Sequence, residues 1–189
     1  MEFKFKKILE IYDDESFFND DGAGVYCWKL SSNSKLVFEY PEDNDLNHDF
    51  TNENKVIYIG KAEKKYKVSE RFSDHLKIQG KTTLRLALGG VLNFINNCIP
   101  NDSYGSYYFD IKSEKEITNW MENNLEFGYI LYRGDAILKS YETLKIYEDS
   151  IIIKYQPSLN SGKQVENKLH YNYVKNIRRW CKEAADLNY

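Results

Sequence analysis

The chain has 189 residues, with 26 Lys and Arg against 29 Asp and Glu and a formal net charge of −3. That length suits one domain whose core needs no disulfide or metal staple, and an apolar share of 42% excludes a disordered chain. Taken whole, the balance also argues against a strongly basic nucleic-acid binder. The distribution is uneven, however. Residues 1–54 carry five basic and thirteen acidic side chains, whereas 55–85 carry nine basic and three acidic ones. Residues 161–189 are basic again, six against three. Two local patches therefore lie in an acidic chain, suited either to phosphate or to ordinary solvated surface.

Residues 1–20 alternate apolar and charged groups and read as an N-terminal extension, a short strand or helix on the domain edge. Gly24–Leu30 reads as a strand, rich in aromatic and β-branched residues. Residues 31–54 are rich in Asn, Asp, Ser and Glu, with a further strand expected over 35–40 that Pro41 ends. A second main strand is expected over 55–60, pairing with the first as a hairpin with an ornamented loop. Val68, Phe72 and Leu76 then recur at helical spacing, predicting a helix over 68–79. A second helix is expected over 82–95 with Thr82 or Thr83 as its cap. Residues 99–110 read as loop. Ser113 and Glu116 have capping-box spacing and predict a helix over 113–124. A third strand is expected over 127–132, closed by a turn at 133–135. A long helix over 137–155 stops before Pro157, and a basic one follows over 174–186.

Cys27, Cys98 and Cys181 are widely spaced, with neither zinc spacing nor a disulfide framework, which suits reduced thiols in a cytoplasm. The first residues hold no apolar core of signal-peptide length, and no run approaches eighteen apolar residues, so neither export nor a membrane partner is expected.

Some polar residues stand where the patterns predict burial. Glu148 falls four residues after Leu144 and four before Ile152, on the inward stripe of the long helix. A carboxylate there is costly unless paired, hydrogen-bonded or metal-bound, although a Glu at a helix border can also reach solvent or a Lys. Arg71 and His75 flank the Val68–Phe72 stripe, where surface cations over a core edge are the plainer reading of each alone. Tyr26 and Tyr58 lie inside strong strands, where tyrosines usually serve packing.

In order along the chain, Gly24-Val25-Tyr26, Tyr58-Ile59-Gly60, Arg71 with His75 four residues on, Glu148, and Asn160 after a proline resemble the GIY-YIG nuclease family. The first motif departs only by Val25 in place of Ile, the second is intact, and the matches span 24 to 160. The gap between the two motifs is longer than the minimal family hairpin, implying an insertion at 31–54. The stretch Gly80–Leu92 resembles a segment in a bacterial branch of the family more than the homing-endonuclease branch.

The resemblance implies an α+β fold, a small three-stranded antiparallel sheet flanked by helices, with the nuclease domain at 21–160 and 161–189 as its basic helical extension. It implies a metal-dependent endonuclease that hydrolyses phosphodiester bonds of DNA with one Mg2+ or Mn2+ held by Glu148. Arg71 would clamp phosphate, Tyr26 would be the general base or water-positioner with Tyr58 as its network partner, and His75 would assist proton transfer. Gly60 and Asn160 would be structural support. Lys61, Lys64, Lys65, Lys67, Arg85, Arg178 and Arg179 would meet the nucleic-acid backbone. The alternative is a catalytically inactive nucleic-acid-binding or protein-interaction module. No DNA-reading module is visible, so selectivity would come from 31–54, 80–110, a homodimer or a targeting partner.

Overall fold

The computed structural model describes residues 2–40, 43–63, 67–80, 82–101, 106–132, 141–162 and 166–188. The expected turn at 133–135 and the first residues of the helix expected from 137 lie outside the described residues.

β1 (Lys6–Lys7) and α1 (Ile8–Tyr12) open the chain, followed by a 3-10 turn at Glu15–Phe18. β2 (Gly24–Leu30) follows, and a small two-stranded sheet of β3 (Val37–Phe38) and β4 (His48–Asp49) fills the expected insertion. β5 (Val56–Ala62) is antiparallel to β2, as the hairpin reading required. Next come α2 (Val68–Leu76), α3 (Thr83–Val91), a hairpin of β6 (Cys98–Asn101) and β7 (Ser106–Phe109), α4 (Ile111–Asn124) and β8 (Leu125–Leu131). α5 (Tyr141–Tyr155) and α6 (Lys168–Leu187) close the fold.

The main sheet has the order β1-β8-β2-β5. It is antiparallel within an α+β arrangement, as expected, but it has four strands and not three. The fourth is β1, in which Lys6 pairs with Phe127 and Lys7 with Glu126 along the outer side of β8. Two residues are too short a run to announce a strand by alternation. Their pairing depends on Ile8 and Ile11, which are buried just beyond.

The sheet has two apolar faces because alternate residues of each strand point opposite ways. Tyr26, Trp28 and Leu30 face one cluster, which takes in Val68 and Phe72 of α2, Leu84 and Leu88 of α3, Ile117 and Met121 of α4, and Val174 and Ile177 of α6. Val25, Cys27 and Ile59 face the other, covered by Leu144, Ile151 and Ile152 of α5. The segment after α5 runs along the free edge of β5: Leu159 N–H donates to the Ile57 carbonyl at 2.8 Å. It gets there through Gln156, whose φ of 45° is the left-handed step that ends α5, with Pro157 preventing its resumption.

Several boundaries differ from the pattern reading. α2 stops at Leu76, because Lys77 turns extended and Gln79 takes a φ of 59°. α3 stops at Val91, where Asn93 at φ 66° turns the chain. The cap of α4 is Asp110, which accepts from Ser113 N–H at 2.7 Å, so Ser113 lies inside the helix. Residues expected as loop form the β6–β7 hairpin, anchored by the buried Cys98, Tyr107 and Phe109. α6 begins earlier than expected, capped by the Asn167 side chain. The insertion is packed: Leu36, Phe38 and Phe50 are buried, Trp180 of α6 stacks on Phe38, and Tyr173 stacks on His48 with ring centroids 4.2 Å apart.

Candidate active site

The β2–β5 register sets Tyr26 opposite Gly60 and Trp28 opposite Tyr58. Tyr26 is 4% exposed, and its ring crosses over Gly60 so closely that a Cβ at position 60 would lie 2.5 Å from the Tyr26 hydroxyl oxygen. Only glycine permits that approach. The Tyr26 and Tyr58 rings lie 6.4 Å apart between centroids.

α2 brings Arg71 and His75 over the same strands. Phe72 stacks on Trp28 with centroids 5.8 Å apart and fixes the helix against the sheet. Steps of three and four residues then turn Arg71 and His75 toward the tyrosines. His75 is buried, and its Nε2 lies 2.9 Å from the Tyr26 hydroxyl. Burial, with Arg71 and Arg85 nearby, pushes the imidazole down to about 3, so it is neutral at physiological pH. The Tyr26 phenol is raised well above the ordinary tyrosine range, chiefly by burial and then by Tyr58. Tyr58 is pushed up to about 12, chiefly by burial and then by Glu148. Both phenols therefore keep their protons near neutrality. Arg71 Nη1 reaches Asp74 Oδ2 at 3.5 Å and remains partly exposed.

The opposite face of β5 contributes Lys61, and α5 contributes Glu148. Lys61 Nζ stands 3.9 Å from Glu148 Oε2 and 3.3 Å from Glu63 Oε1. The Glu148 side chain is 17% exposed, and burial pushes its carboxyl up to about 7 despite Lys61. Because β5 is an edge strand, residues from both faces meet around it. Tyr26, Tyr58, Gly60, Lys61, Glu63, Arg71, His75, Thr82, Thr83 and Glu148 line one open cleft of about 270 Å3. A larger cleft of about 420 Å3 beside Phe17 and Tyr129 contains none of the motif residues.

Asn160 lies behind the cleft wall. Its side chain accepts from Ile59 N–H at 2.9 Å and donates to the Ile59 carbonyl at 2.8 Å, satisfying the β5 edge as a paired strand would. Of the basic residues expected at nucleic acid, Lys67 is exposed at the start of α2, Arg179 is exposed beside Glu183, and Arg178 is partly buried on α6. Lys64 and Lys65 lie outside the described residues. The expectation for Arg85 is corrected. Its side chain is fully buried, with Nε 2.6 Å from Glu114 Oε2 and further donations to the carbonyls of His75 and Glu114 and to Thr118. No surface remains to meet a phosphate. The sequence concealed this because Glu114 is 29 residues away on another helix.

Thr82, Thr83 and Glu63 are the cleft residues that sequence reasoning missed as site residues. The Thr pair was visible as a helix start, but nothing local indicated which way that start would point.

Residues 24–180 match a family profile described as the GIY-YIG catalytic domain. The chain belongs to this family. Comparison with curated proteins and with solved structures finds no match. The matched span of this GIY-YIG domain starts at the first residue of β2 and ends in α6, so β1 lies ahead of it. Membership assigns the chain a nuclease-type fold. No helix among the described residues is long and apolar enough to cross a membrane, and all three cysteines are free thiols.

Proposed function

We propose that this GIY-YIG domain is a metal-dependent endonuclease acting on DNA, with the β5-edge cleft as its active site. The observation that carries the reading is convergence. Tyr26, Tyr58, Arg71, His75 and Glu148 come from β2, β5, α2 and α5 and line one cleft. A packing role alone gives four separate elements no reason to direct their polar groups to one place.

The donor set suits one hard cation. Among the described residues no group of three or more His, Cys, Asp or Glu is arranged to hold a metal. Mg2+ does not demand one, since it keeps several waters and binds through one or two carboxylates and the substrate's phosphate. Glu148 has the matching need: its carboxyl is pushed up to about 7, and a cation would relieve the cost of its charge. Glu148 would therefore hold Mg2+ or Mn2+, with Glu63 as the second carboxylate in the cleft. Such an ion supplies positive charge at phosphate oxygens during hydrolysis.

The chain's own groups do the rest. Arg71 offers a planar two-pronged donor to a phosphate, which a lysine cannot. Tyr26 stays protonated, which disfavours a preformed phenolate base. Tyr26 and His75 Nε2 share one hydrogen bond, which leaves the phenol oxygen a lone pair with which to accept from the attacking water. His75 orients the Tyr26 hydroxyl through this contact, and an imidazole pushed down to about 3 is not itself the acceptor of the water's proton. Lys67, Arg178 and Arg179 extend the backbone contact outward, and a homodimer or a targeting partner would supply selectivity.

The test is a cleavage panel of duplex, nicked, branched and single-stranded DNA and RNA with Mg2+ or Mn2+. Cleavage of a DNA form that EDTA stops is expected, with losses of at least about a hundredfold in Glu148→Ala and Arg71→Ala. Equal cutting by both variants at matched purity would overturn the assignment. Salt-sensitive DNA binding without cleavage would point to an inactive binding module.

A further inference from the structure

Lys61 follows Gly60 on β5, so strand alternation sends its side chain to the face that α5 covers. There its Nζ lies 3.3 Å from Glu63 Oε1 and 3.9 Å from Glu148 Oε2. The Lys61 and Glu148 side chains are only 14% and 17% exposed, whereas Glu63 is the open member at 41%. One ammonium therefore serves both carboxylates that line the cleft. They come from separate elements, Glu63 from just past β5 and Glu148 from α5.

These are also the two carboxylates suited to a divalent cation. Two negative charges against one ammonium leave room for more positive charge, but Lys61 already draws on the oxygens that such a cation needs. Positive charges crowded against one carboxylate in a partly buried site repel strongly. Lys61 and a divalent cation therefore compete for Glu148. The side chain suits an exchange of partners. Lysine is a point charge on a flexible four-carbon stem and not a fixed fork, so the ammonium can leave Glu148 while the Lys61 backbone stays in register with Val25. A phosphate oxygen brought into the cleft beside Arg71 is then its alternative acceptor.

We propose that Lys61 is an internal counter-ion that latches this site: its ammonium holds Glu63 and Glu148 in the metal-free protein, yields Glu148 to the divalent cation, and turns to the DNA phosphate. Phosphate that draws Lys61 away opens the carboxylates to the cation, and by reciprocity the cation readies Lys61 for phosphate. The role given to DNA rests on the nuclease reading, whereas the competition at Glu148 does not.

The experiment titrates full-length protein with Mn2+ at pH 8, following the free ion by electron paramagnetic resonance. Lys61→Met should bind Mn2+ more tightly than wild type by at least about fivefold, the lower end of ordinary coupling between sites. Lys61→Arg keeps the competing charge and should bind no more tightly than wild type. Lys112→Met removes an exposed charge of α4 and controls for net charge, so its affinity should match wild type. Short duplex DNA, with its own Mn2+ uptake subtracted, should tighten binding in wild type and not in Lys61→Met. Wild-type affinity in Lys61→Met, equal gains in Lys61→Met and Lys112→Met, DNA tightening of both proteins alike or of neither, or no Mn2+ uptake by any variant would each overturn the latch. Cleavage is scored separately. A wild type that cuts DNA but fails these tests loses only the latch, and one that cuts nothing loses the nuclease reading while the DNA-free Mn2+ affinities still judge the competition.

Discussion

Glu148→Gln should make the metal-free protein more stable at pH 8 while abolishing activity. The Glu148 carboxyl rises from an ordinary 4.5 to about 7 because burial penalises its charged form. Below 4.5 the group is protonated in the folded and unfolded chains alike, and no difference arises. Between 4.5 and 7 the unfolded chain releases the proton while the folded one retains it, so folding stability falls as pH rises. Above 7 the loss is complete, at up to roughly 3 kcal/mol from the conversion of a pKa difference to free energy. Gln keeps the shape and removes the charge. For a chain of this size, that difference corresponds to a melting temperature roughly 6–12 °C higher than wild type at pH 8, shrinking toward zero at pH 4.5. The assay is thermal unfolding of both proteins in EDTA across that pH range. Adding Mg2+ at pH 8 should then raise the wild type and leave the variant unmoved, independently of any cleavage. Parallel melting curves from pH 4.5 to 8 would refute the reasoning, because they would mean that the Glu148 charge carries no burial cost.

Gly60→Ala forces the Tyr26 ring off its contact and should cost about 2 kcal/mol by overpacking, read as a lower denaturation midpoint with activity lost. Gly22→Ala, whose Cβ meets nothing within 4 Å, should be neutral as its control. Glu114→Ala strands the buried Arg85 charge and should destabilise the fold by about 3–5 kcal/mol, measured by urea unfolding, although neither residue touches the cleft. Asn160→Ala removes both hydrogen bonds to Ile59 and should accelerate amide exchange at Ile59 while Cys27, on the central strand, stays protected.

Much of the scaffold was legible in the sequence. β2, β5 and β8 are rich in β-branched and aromatic residues, and α2 repeats its apolar residues at helical spacing, so local pattern alone located them. The ordered motif from Gly24 to Asn160 indicated the family before any geometry was known. Local pattern failed where stability comes from distant partners. β1 has two residues and exists through β8. The β6–β7 hairpin carries Pro100, which reads as a loop signal, and is held by buried aromatics that pack elsewhere. Arg85 looked like surface charge in a basic block.

By itself, then, the sequence determined the family and singled out residues that line one cleft, because motif spacing and periodicity are written along the chain. Its charge balance was the weaker guide: a net −3 coexists with the cationic Lys61 and Arg71 in the cleft. Only the tertiary structure decided which of the basic side chains line the cleft and which are buried. The physical reason is that burial and pairing belong to contacts between distant segments. Glu148 has a raised carboxyl, and Arg85 a partner, only once helices far apart in sequence pack on one sheet.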